Sequence, residues 1–469
     1  MAAETEKKAK AKKKPKPWIR PRHTVVRNIL YYTLGTYCRL RYNAKVEKFK
    51  EWEDRPYLIL LNHQTPFDQF FVGMSVKGNI YYLATEDIFS MGWVSDLIRW
   101  LIAPIPIKKQ TADVRAVMNC LRVAKEGGSI AIAPEGNRTY SGRTEYMSPA
   151  IISLAKKMGL PILLYRLEGG YGVEPRWGDS VRKGKMRCYV SRVIMPEEYG
   201  PMTDGELYET VKEGLWVNEA CVDGEYKSKR SAEYLERILY VCPHCGLSSF
   251  ESHGDTVTCL KCRRKAKYLP TKELEGDFPY RFVADWYDAQ EAYINSIDLR
   301  EEPEPLYMEK VRVSEVIPYK KKVLLDKKAT VELYGHSITL NVQGEEKIFS
   351  FDETAAVTVL GRNKANIYCG DKIYQLKGDK RFNAVKYVHF FHRYKNLKRG
   401  NDNEQFLGLR GLGMDNPHGG AAGQPAGGQC TEASYQVAAG LSDPHLRFGR
   451  RHPAGDRGHL AGHHRRRPV

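Results

Sequence analysis

The sequence predicts an α/β protein. A layered first domain with a mostly parallel sheet is followed by a small cysteine module and a small β-barrel-like module with a C-terminal helix. Three observations carry this prediction. Short apolar runs alternate with helical patterns over the first half of the chain. Two Cys-x-x-Cys pairs lie near its middle. Beyond them, short apolar segments with strand-like alternation precede one last helical pattern.

The bulk composition sets limits on organisation and partners. A chain of 469 residues is longer than one ordinary domain. Its formal net charge of +18 favours an anionic partner, either nucleic acid or an acidic membrane face. Ten cysteines in so long a chain exclude a disulfide scaffold, and the paired ones suit metal in a reducing compartment. We find no secretory signal, because no apolar segment directly follows the lysine-rich start.

Residues 1–22 form a basic tail that we expect to be disordered, with seven lysines in its first 16 residues. It is either a solvated tail or a segment attracted to anionic lipid, at about 1 kcal/mol per basic residue near the surface. The apolar stretch 28–38 is far shorter than the roughly 20 residues of a spanning helix. It fits an interfacial helix or an ordinary docking helix of the first domain equally well.

Residues 23–220 carry the alternation of the layered domain. Buried strands are predicted at 57–61, 80–83, 129–133 and 161–165. Helices are predicted at 68–74, 94–101, 114–124 and 151–158. Sites in such sheets gather at the carboxyl ends of strands. We therefore expect the polar motifs that follow the first and third strands to lie at one edge.

The first motif, residues 62–68, places His63 and Asp68 with four residues between them. An alcohol is a poor nucleophile until a base takes its proton, and histidine suits that role near neutral pH. A carboxylate on Nδ1 would fix the tautomer and stabilise the imidazolium. The alternatives are a helix N-cap for Asp68 and a hydrogen-bonded core position for His63.

The second motif, residues 134–139, contains Glu135, Gly136 and Arg138. Glycine permits a close turn whose free backbone N–H groups can meet an anion. Arg138 can grip a phosphate bidentately, and Glu135 can orient the arginine or a substrate hydroxyl. In isolation such a segment could equally be a surface turn with a local ion pair. Together the motifs predict acyl transfer to the hydroxyl of a phosphorylated alcohol.

The combination Asn-His-x4-Asp and Pro-Glu-Gly-x-Arg resembles the PlsC-type glycerolipid acyltransferase family over the layered domain. Residues 84–89 and 105–109 resemble the family's intermediate blocks, although Thr85 and one lysine of the second block replace the usual lysine and arginine. The resemblance implies transfer from acyl-CoA or acyl-carrier protein to the sn-2 hydroxyl of lysophosphatidic acid. It makes His63 the base, with Asp68 orienting it.

The resemblance further implies phosphate contacts from Arg138 and from Lys108 or Lys109. Because the acceptor is a membrane lipid, we expect the protein to bind peripherally to the cytoplasmic face of an anionic membrane. Another lysophospholipid or phosphorylated alcohol remains an alternative acceptor. A second hypothesis is a degenerate acyltransferase fold that serves as a lipid- or nucleic-acid-binding adaptor.

The charged residues 203–240 are predicted to form helices that lead into the cysteine module, and residues 221–270 are predicted to hold a helix and a zinc ribbon. Thirteen residues separate the two cysteine pairs, enough for a hairpin between two knuckles, and four thiolates suit a structural zinc ion. A redox role would need only one pair. We interpret the ribbon as a structural or protein-contact module, and we do not expect nucleic acid as its partner. The predicted ligands are Cys242, Cys245, Cys259 and Cys262.

Residues 305–399 show short β segments closed by a helix, which resembles a PH or GRAM-like module. Residues 400–469 form a low-complexity tail that contains no lysine and six of the 13 histidines. The tail is either a disordered linker or the product of out-of-frame translation, and we assign no chemistry to it.

Overall fold

The computed structural model describes residues 17–85, 88–107, 113–317, 320, 322–400 and 407. The chain divides into two units, Met1–Cys430 and Thr431–Val469, and every described residue belongs to the first. Lys108 and Lys109, the lysine run at the start and almost all of the C-terminal tail lie outside the described residues.

The first domain is built on a seven-stranded sheet, ordered β1-β7-β6-β2-β5-β3-β4. Every neighbouring pair is parallel except β6 and β7, so the predicted mostly parallel sheet is confirmed. The four predicted strands are β2, β3, β5 and β6. The strands are β1 Ala44–Val46, β2 Leu58–Leu61, β3 Ile80–Thr85, β4 Ile105–Ile107, β5 Ser129–Ile132, β6 Ile162–Glu168 and β7 Met186–Ile194.

Helices cover both faces of this sheet. Side chains of β2 alternate between two cores, with Leu58 and Leu60 in one and Ile59 and Leu61 in the other. The helices are α1 Pro21–Leu30, α2 Thr36–Arg41, α3 Asp68–Ser75, α4 Trp93–Ile102, α5 Val114–Lys125, α6 Ala150–Met158, α7 Gly170–Val173, α8 Pro196–Tyr199 and α9 Asp204–Leu215. A π-helical turn, Tyr31–Gly35, joins α1 to α2.

The helices predicted over 203–240 are only partly present. The segment up to Leu215 is α9, whose capping box pairs Thr203 with Glu206. Residues 216–240 contain only two 3-10 turns, so the helix predicted at the start of the cysteine module was wrong. Tertiary contacts explain the difference. Lys227 pairs its backbone with that of Lys183, and Tyr226 is fully buried.

The cysteine module consists of a two-stranded ribbon and a four-stranded antiparallel sheet. Its strands are β8 Val241–Cys242, β9 Gly246–Leu247, β10 Phe250–His253, β11 Thr256–Cys259, β12 Lys265–Tyr268 and β13 Leu274–Gly276. A helix that the sequence did not reveal, α10 Val283–Ser296, follows the module.

The last module is a seven-stranded antiparallel sheet, ordered β17-β16-β15-β14-β20-β19-β18, with α11 packed on β18. It agrees with the predicted β module closed by a helix. One hydrophobic core contains Cys259 of the cysteine module, Trp286 of α10 and Phe390 of α11, so these parts are not packed independently. The elements are β14 Tyr307–Glu315, β15 Val323–Leu333, β16 Ser337–Val342, β17 Glu345–Ser350, β18 Thr354–Leu360, β19 Lys364–Cys369, β20 Lys372–Lys377 and α11 Val385–Lys398.

Candidate active site

His63 and Asp68 face each other in the loop between β2 and α3. The Nδ1 atom of His63 lies 2.7 Å from Oδ2 of Asp68. The His63 side chain is 30% exposed, whereas that of Asp68 is 2% exposed. With Nδ1 engaged by the carboxylate, Nε2 is the nitrogen that can take a proton from a ligand.

The loop itself holds Asp68 in this position. Oδ2 also accepts the backbone N–H of Gln64 at 2.8 Å, and Oδ1 accepts the N–H and hydroxyl of Thr65 at 2.9 and 2.6 Å. These bonds fix the orientation of the carboxylate. Asp68 is the first residue of α3, and Phe67 precedes it as the N-cap without a side-chain bond. The alternative N-cap role of Asp68 is therefore not what the structure shows.

Glu135 connects the two motifs. One carboxylate oxygen accepts the backbone N–H of His63 at 2.8 Å, and the other accepts that of Glu145 at 2.8 Å. Burial raises the pKa of Glu135 well above its usual range, although these two bonds oppose the shift. We expected Glu135 to orient Arg138 or a substrate hydroxyl. Its carboxylate instead fixes the backbone beside His63.

Gly136 supplies the turn that the sequence predicts. Its φ of +69° lies in the left-handed region, which a residue with a side chain rarely adopts. Its backbone N–H donates to the carbonyl of Ala133 at 3.0 Å. This N–H group is therefore committed to the turn, contrary to our expectation that it is free to meet an anion.

Arg138 contacts the backbone of the His63 loop, and two of its three guanidinium nitrogens already donate hydrogen bonds within the protein. Its Nε donates to the carbonyl of Gln64 at 2.9 Å, and one terminal nitrogen, Nη2, donates to the carbonyl of Glu174 at 2.7 Å. Among the described residues, the other terminal nitrogen, Nη1, has no hydrogen-bond partner. Burial lowers the pKa of Arg138 to about 10, which leaves it cationic at neutral pH. We expected Arg138 to bind a phosphate through two nitrogens, but only Nη1 is left for such a contact.

A glycine-rich segment after β6, which neither motif indicates, supports the first motif. The side-chain amide of Asn62 pairs with both backbone groups of Leu167, at 2.9 and 2.8 Å. A Cβ atom at Gly170 would lie 2.9 Å from Cβ of Gln64 and 3.0 Å from Cγ2 of Thr65, so a side chain there would displace the loop. Three glycines among residues 169–172, directly after a strand, were the signal that could have revealed this support.

Glu174 was also missed. It is buried, and its carboxylate accepts hydrogen bonds from Tyr42 and from Arg362 of the β module. Arg362 lies 188 residues away along the chain, so no local pattern could indicate this contact.

The four predicted cysteines converge in the cysteine module. Their sulfur atoms all lie within 4.8 Å of one another. The Sγ atoms of Cys242 and Cys262 are 3.8 Å apart, and those of Cys245 and Cys259 are 4.0 Å apart. A tetrahedral ion with sulfur bonds of about 2.3 Å requires sulfur separations of about 3.8 Å. This donor set therefore fits a tetrahedral metal ion.

The helical segments 21–41 and 93–102 expose large apolar side chains, which we call the apolar face. Trp93 is 72% exposed and Tyr32 is 81% exposed. Arg22 of α1 lies over the ring of Trp100 on α4 and thereby connects the two segments. Within the described part of the chain, no helix is both long and apolar enough to cross a bilayer. The apolar face comprises Val25, Ile29, Tyr32, Leu34, Tyr37, Leu40, Trp93, Leu97, Trp100 and Ile102.

Residues 42–164, which contain both motifs, match the family model of the acyltransferases. The chain is 23% identical over 155 residues to the chloroplastic 1-acyl-sn-glycerol-3-phosphate acyltransferase of Brassica napus, covering 32% of this chain and 43% of that relative. It is 20% identical over 164 residues to the 1-acyl-sn-glycerol-3-phosphate acyltransferase of Bacillus subtilis, covering 34% and 78%.

Among solved structures, the chain is similar to PlsC, the 1-acyl-sn-glycerophosphate acyltransferase of Thermotoga maritima. The two share 21% identity with a TM-score of 0.36, over 42% of this chain and 80% of that chain. The match thus spans less than half of the plant relative's length and most of the bacterial ones.

Proposed function

We propose that this chain, whose residues 42–164 match the acyltransferase family model, moves a fatty acyl group from an acyl thioester to the sn-2 hydroxyl of lysophosphatidic acid, giving phosphatidic acid. The donor is acyl-CoA or acyl-carrier protein. The contact between His63 and Asp68 carries the proposal, because a hydroxyl acceptor needs a base that is held in one tautomer.

In the proposed reaction, Nε2 of His63 accepts the proton of the sn-2 hydroxyl while the hydroxyl oxygen attacks the thioester carbonyl carbon. Asp68 stabilises the imidazolium that forms. The tetrahedral intermediate then collapses, the carbon–sulfur bond breaks and the imidazolium returns the proton to the leaving thiolate. No covalent acyl-enzyme is required.

The acceptor phosphate is assigned to Arg138. Its guanidinium reaches the phosphate through Nη1, while the bonds of Nε and Nη2 to the carbonyls of Gln64 and Glu174 hold the group in place. Lys108 or Lys109 adds positive charge, on the strength of sequence resemblance alone. Gly136 shapes the loop, and Glu135 fixes it to His63.

The four cysteines are proposed to bind a structural zinc ion. All four positions of a tetrahedron are filled by protein sulfur, which leaves no open position for a substrate. The ion would stabilise the fold of the cysteine module, and no step of the acyl transfer involves it.

The protein is proposed to act on the cytoplasmic face of an anionic membrane, with the apolar face in the lipid interface. Aromatic side chains suit that layer, and a net charge of +18 adds attraction to anionic lipid. The π-helical turn packs on α3, which begins at Asp68. A Cβ atom at Gly73 of α3 would lie 1.9 Å from Cζ of Tyr31, so this contact leaves no gap. The apolar face is thereby linked to the catalytic loop.

An acceptor panel tests the proposal. Purified protein is supplied with labelled acyl-CoA or acyl-carrier protein and with lysophosphatidic acid, other lysophospholipids or glycerol 3-phosphate. We expect preference for lysophosphatidic acid, no turnover in His63→Ala, and a loss of about three orders of magnitude in Asp68→Asn. His253→Ala, which changes an exposed histidine of the cysteine module, serves as the matched control. Full turnover by a folded His63→Ala variant would reject the proposed role of His63 as the base. The absence of acyl transfer to any acceptor would reject the proposed acyltransferase activity.

A further inference from the structure

The β module reaches the candidate active site through one arginine. Arg362 follows Gly361 in the hairpin between β18 and β19, and its guanidinium donates to a carboxylate oxygen of Glu174. Tyr42 donates to the other oxygen of that carboxylate. The hairpin is seated there by a second contact, because Arg176 donates to the carbonyls of both Arg138 and Val359, at 2.8 and 3.4 Å.

The charge of Glu174 has two candidate cations within reach. Arg138 binds the main-chain carbonyl of Glu174, which brings its guanidinium next to the same residue's carboxylate. Arg362 binds the carboxylate itself. Arg362 also forms an ion pair with Asp179, 3.5 Å from its Nε, but Asp179 pairs more closely with Arg237, at 2.6 Å. The cation that pairs directly with the carboxylate of Glu174 is therefore Arg362 of the β module.

We propose that Arg362 is a positioning residue of the active site: by pairing with Glu174, it leaves the positive charge of Arg138 available for the phosphate of the acceptor. The inference rests on the proposed function in taking Arg138 as the phosphate contact. Without Arg362, the buried carboxylate of Glu174 still interacts with the charge of Arg138, which is held beside it by the bond to the Glu174 carbonyl. Opposite charges in a poorly solvated site interact strongly, so this pairing would compete with the phosphate.

The geometry permits a clean genetic test. The bond of Arg138 to Glu174 uses the backbone carbonyl, so Glu174→Gln removes the competing charge and keeps that bond. Arg362→Lys retains a cation at the same place. Arg381 provides a matched control, since it is also a β-module arginine that bridges to another part of the chain, in its case to Glu233 and Glu236. The side chains of Arg362 and Arg381 are 33% and 32% exposed.

The experiment measures the dissociation constant of glycerol 3-phosphate by calorimetry on the full chain, with melting temperature as the fold control. We expect Arg362→Ala to weaken binding about tenfold. Arg362→Lys, Arg381→Ala and the double variant Glu174→Gln/Arg362→Ala should remain within about threefold of the parent protein. In the acylation assay the same order should appear in the acceptor KM, with kcat little changed.

Each result decides the matter. Equal affinities of Arg362→Ala and the parent protein, or a double variant as weak as Arg362→Ala, would overturn the inference. So would a parent protein that does not bind the phosphate monoester. If Arg381→Ala weakens binding as much as Arg362→Ala, the effect is one of general module docking, and the specific role of Arg362 is rejected. A protein that binds the monoester with the expected order but transfers no acyl group would reject the proposed reaction and leave this inference standing.

Discussion

The carboxylate of Glu135 accepts the backbone N–H of His63 at 2.8 Å, and this bond helps to join the loop after β5 to the loop after β2. Its second oxygen holds the N–H of Glu145 at 2.8 Å. Both partners are backbone groups, so the arrangement depends on two acceptor oxygens at one point. A residue that the motif suggested as a substrate contact therefore sets the position of the base.

We predict that Glu135→Gln lowers both melting temperature and kcat. Glutamine keeps one acceptor oxygen, but its amide NH2 would face the second backbone N–H. A buried donor without an acceptor costs about 1–3 kcal/mol, and the position of His63 changes with it. Calorimetry and the acylation assay check this, with the exposed residue Glu51 changed to Gln as the control. A variant equal to the parent protein in both measurements would contradict the positioning role.

The parts of the site that could be predicted are those whose contacts are local in sequence. His63 and Asp68 are five positions apart, so the turn that joins them could be read from the motif. The support from Glu174, Tyr42 and Arg362 depends on tertiary packing over more than a hundred residues. The difference between local and distant contacts also explains which elements of the fold could be predicted. Strands with continuous apolar runs were found, whereas residues 216–240 gave a false helical pattern because distant backbone contacts determine their course.

Arg138→Lys should impair use of the acceptor more than use of the donor. An ammonium group cannot bond both backbone carbonyls in the fixed geometry of a guanidinium and still meet a phosphate edge-on. We expect acceptor KM to rise about tenfold or more, while donor KM stays within about twofold. Steady-state kinetics with each substrate varied in turn measure the effect, and Arg281→Lys controls for a change at an exposed site. Equal increases in both KM values would argue against a phosphate contact.

The contribution of two buried carboxyl groups, Glu291 and Glu145, to the stability of the protein should fall as pH rises from about 4.5 to about 8. Burial, followed by repulsion from Glu145, raises the pKa of Glu291 to about 8. Burial likewise raises the pKa of Glu145 to about 7. A carboxyl group with a higher pKa in the folded state binds its proton more tightly there than in the unfolded state. Its contribution to the free energy of unfolding therefore decreases as pH rises through that window.

Glu291→Gln should remove its share of this pH dependence. We expect the variant to melt at a higher temperature than the parent protein at pH 9, and the two to differ little at pH 5. Glu275→Gln, at an exposed position of β13, should follow the parent protein at both values. Thermal melts across this pH range measure the difference. Parallel curves for Glu291→Gln and the parent protein would show that Glu291 titrates normally.

Purified protein should contain about one zinc ion per chain. Because Cys259 lies in the core that also contains Trp286 and Phe390, metal removal should destabilise the β module as well as the cysteine module. Elemental analysis counts the ion, and melts with and without a chelator test the coupling. Cys259→Ser should lose the ion and melt earlier, whereas Cys369→Ser, outside the cluster, should keep it. Absence of metal, or iron in its place, would reject the assignment.

We predict that the protein binds membranes through both its basic N-terminal segment and its apolar face, and these two contributions can be tested separately. Removal of residues 1–41 would be uninformative, because Cys38 is fully buried and Trp18 donates to the carbonyl of Ala103 at 3.0 Å. Such a deletion would damage the core. The separate contributions of charge and apolar burial are better tested by deleting residues 1–16 and by replacing the exposed indoles of Trp93 and Trp100.

Deleting residues 1–16 should weaken binding to anionic vesicles and reduce its dependence on salt, since seven lysines are lost. Trp93→Ala/Trp100→Ala should weaken binding to neutral and anionic vesicles alike, because it removes apolar burial and no charge. Both variants should turn over detergent-dispersed acceptor normally and bilayer acceptor slowly. Vesicle sedimentation at low and high salt separates the two effects. Unchanged sedimentation of the tryptophan variant would show that the apolar face is not the membrane contact.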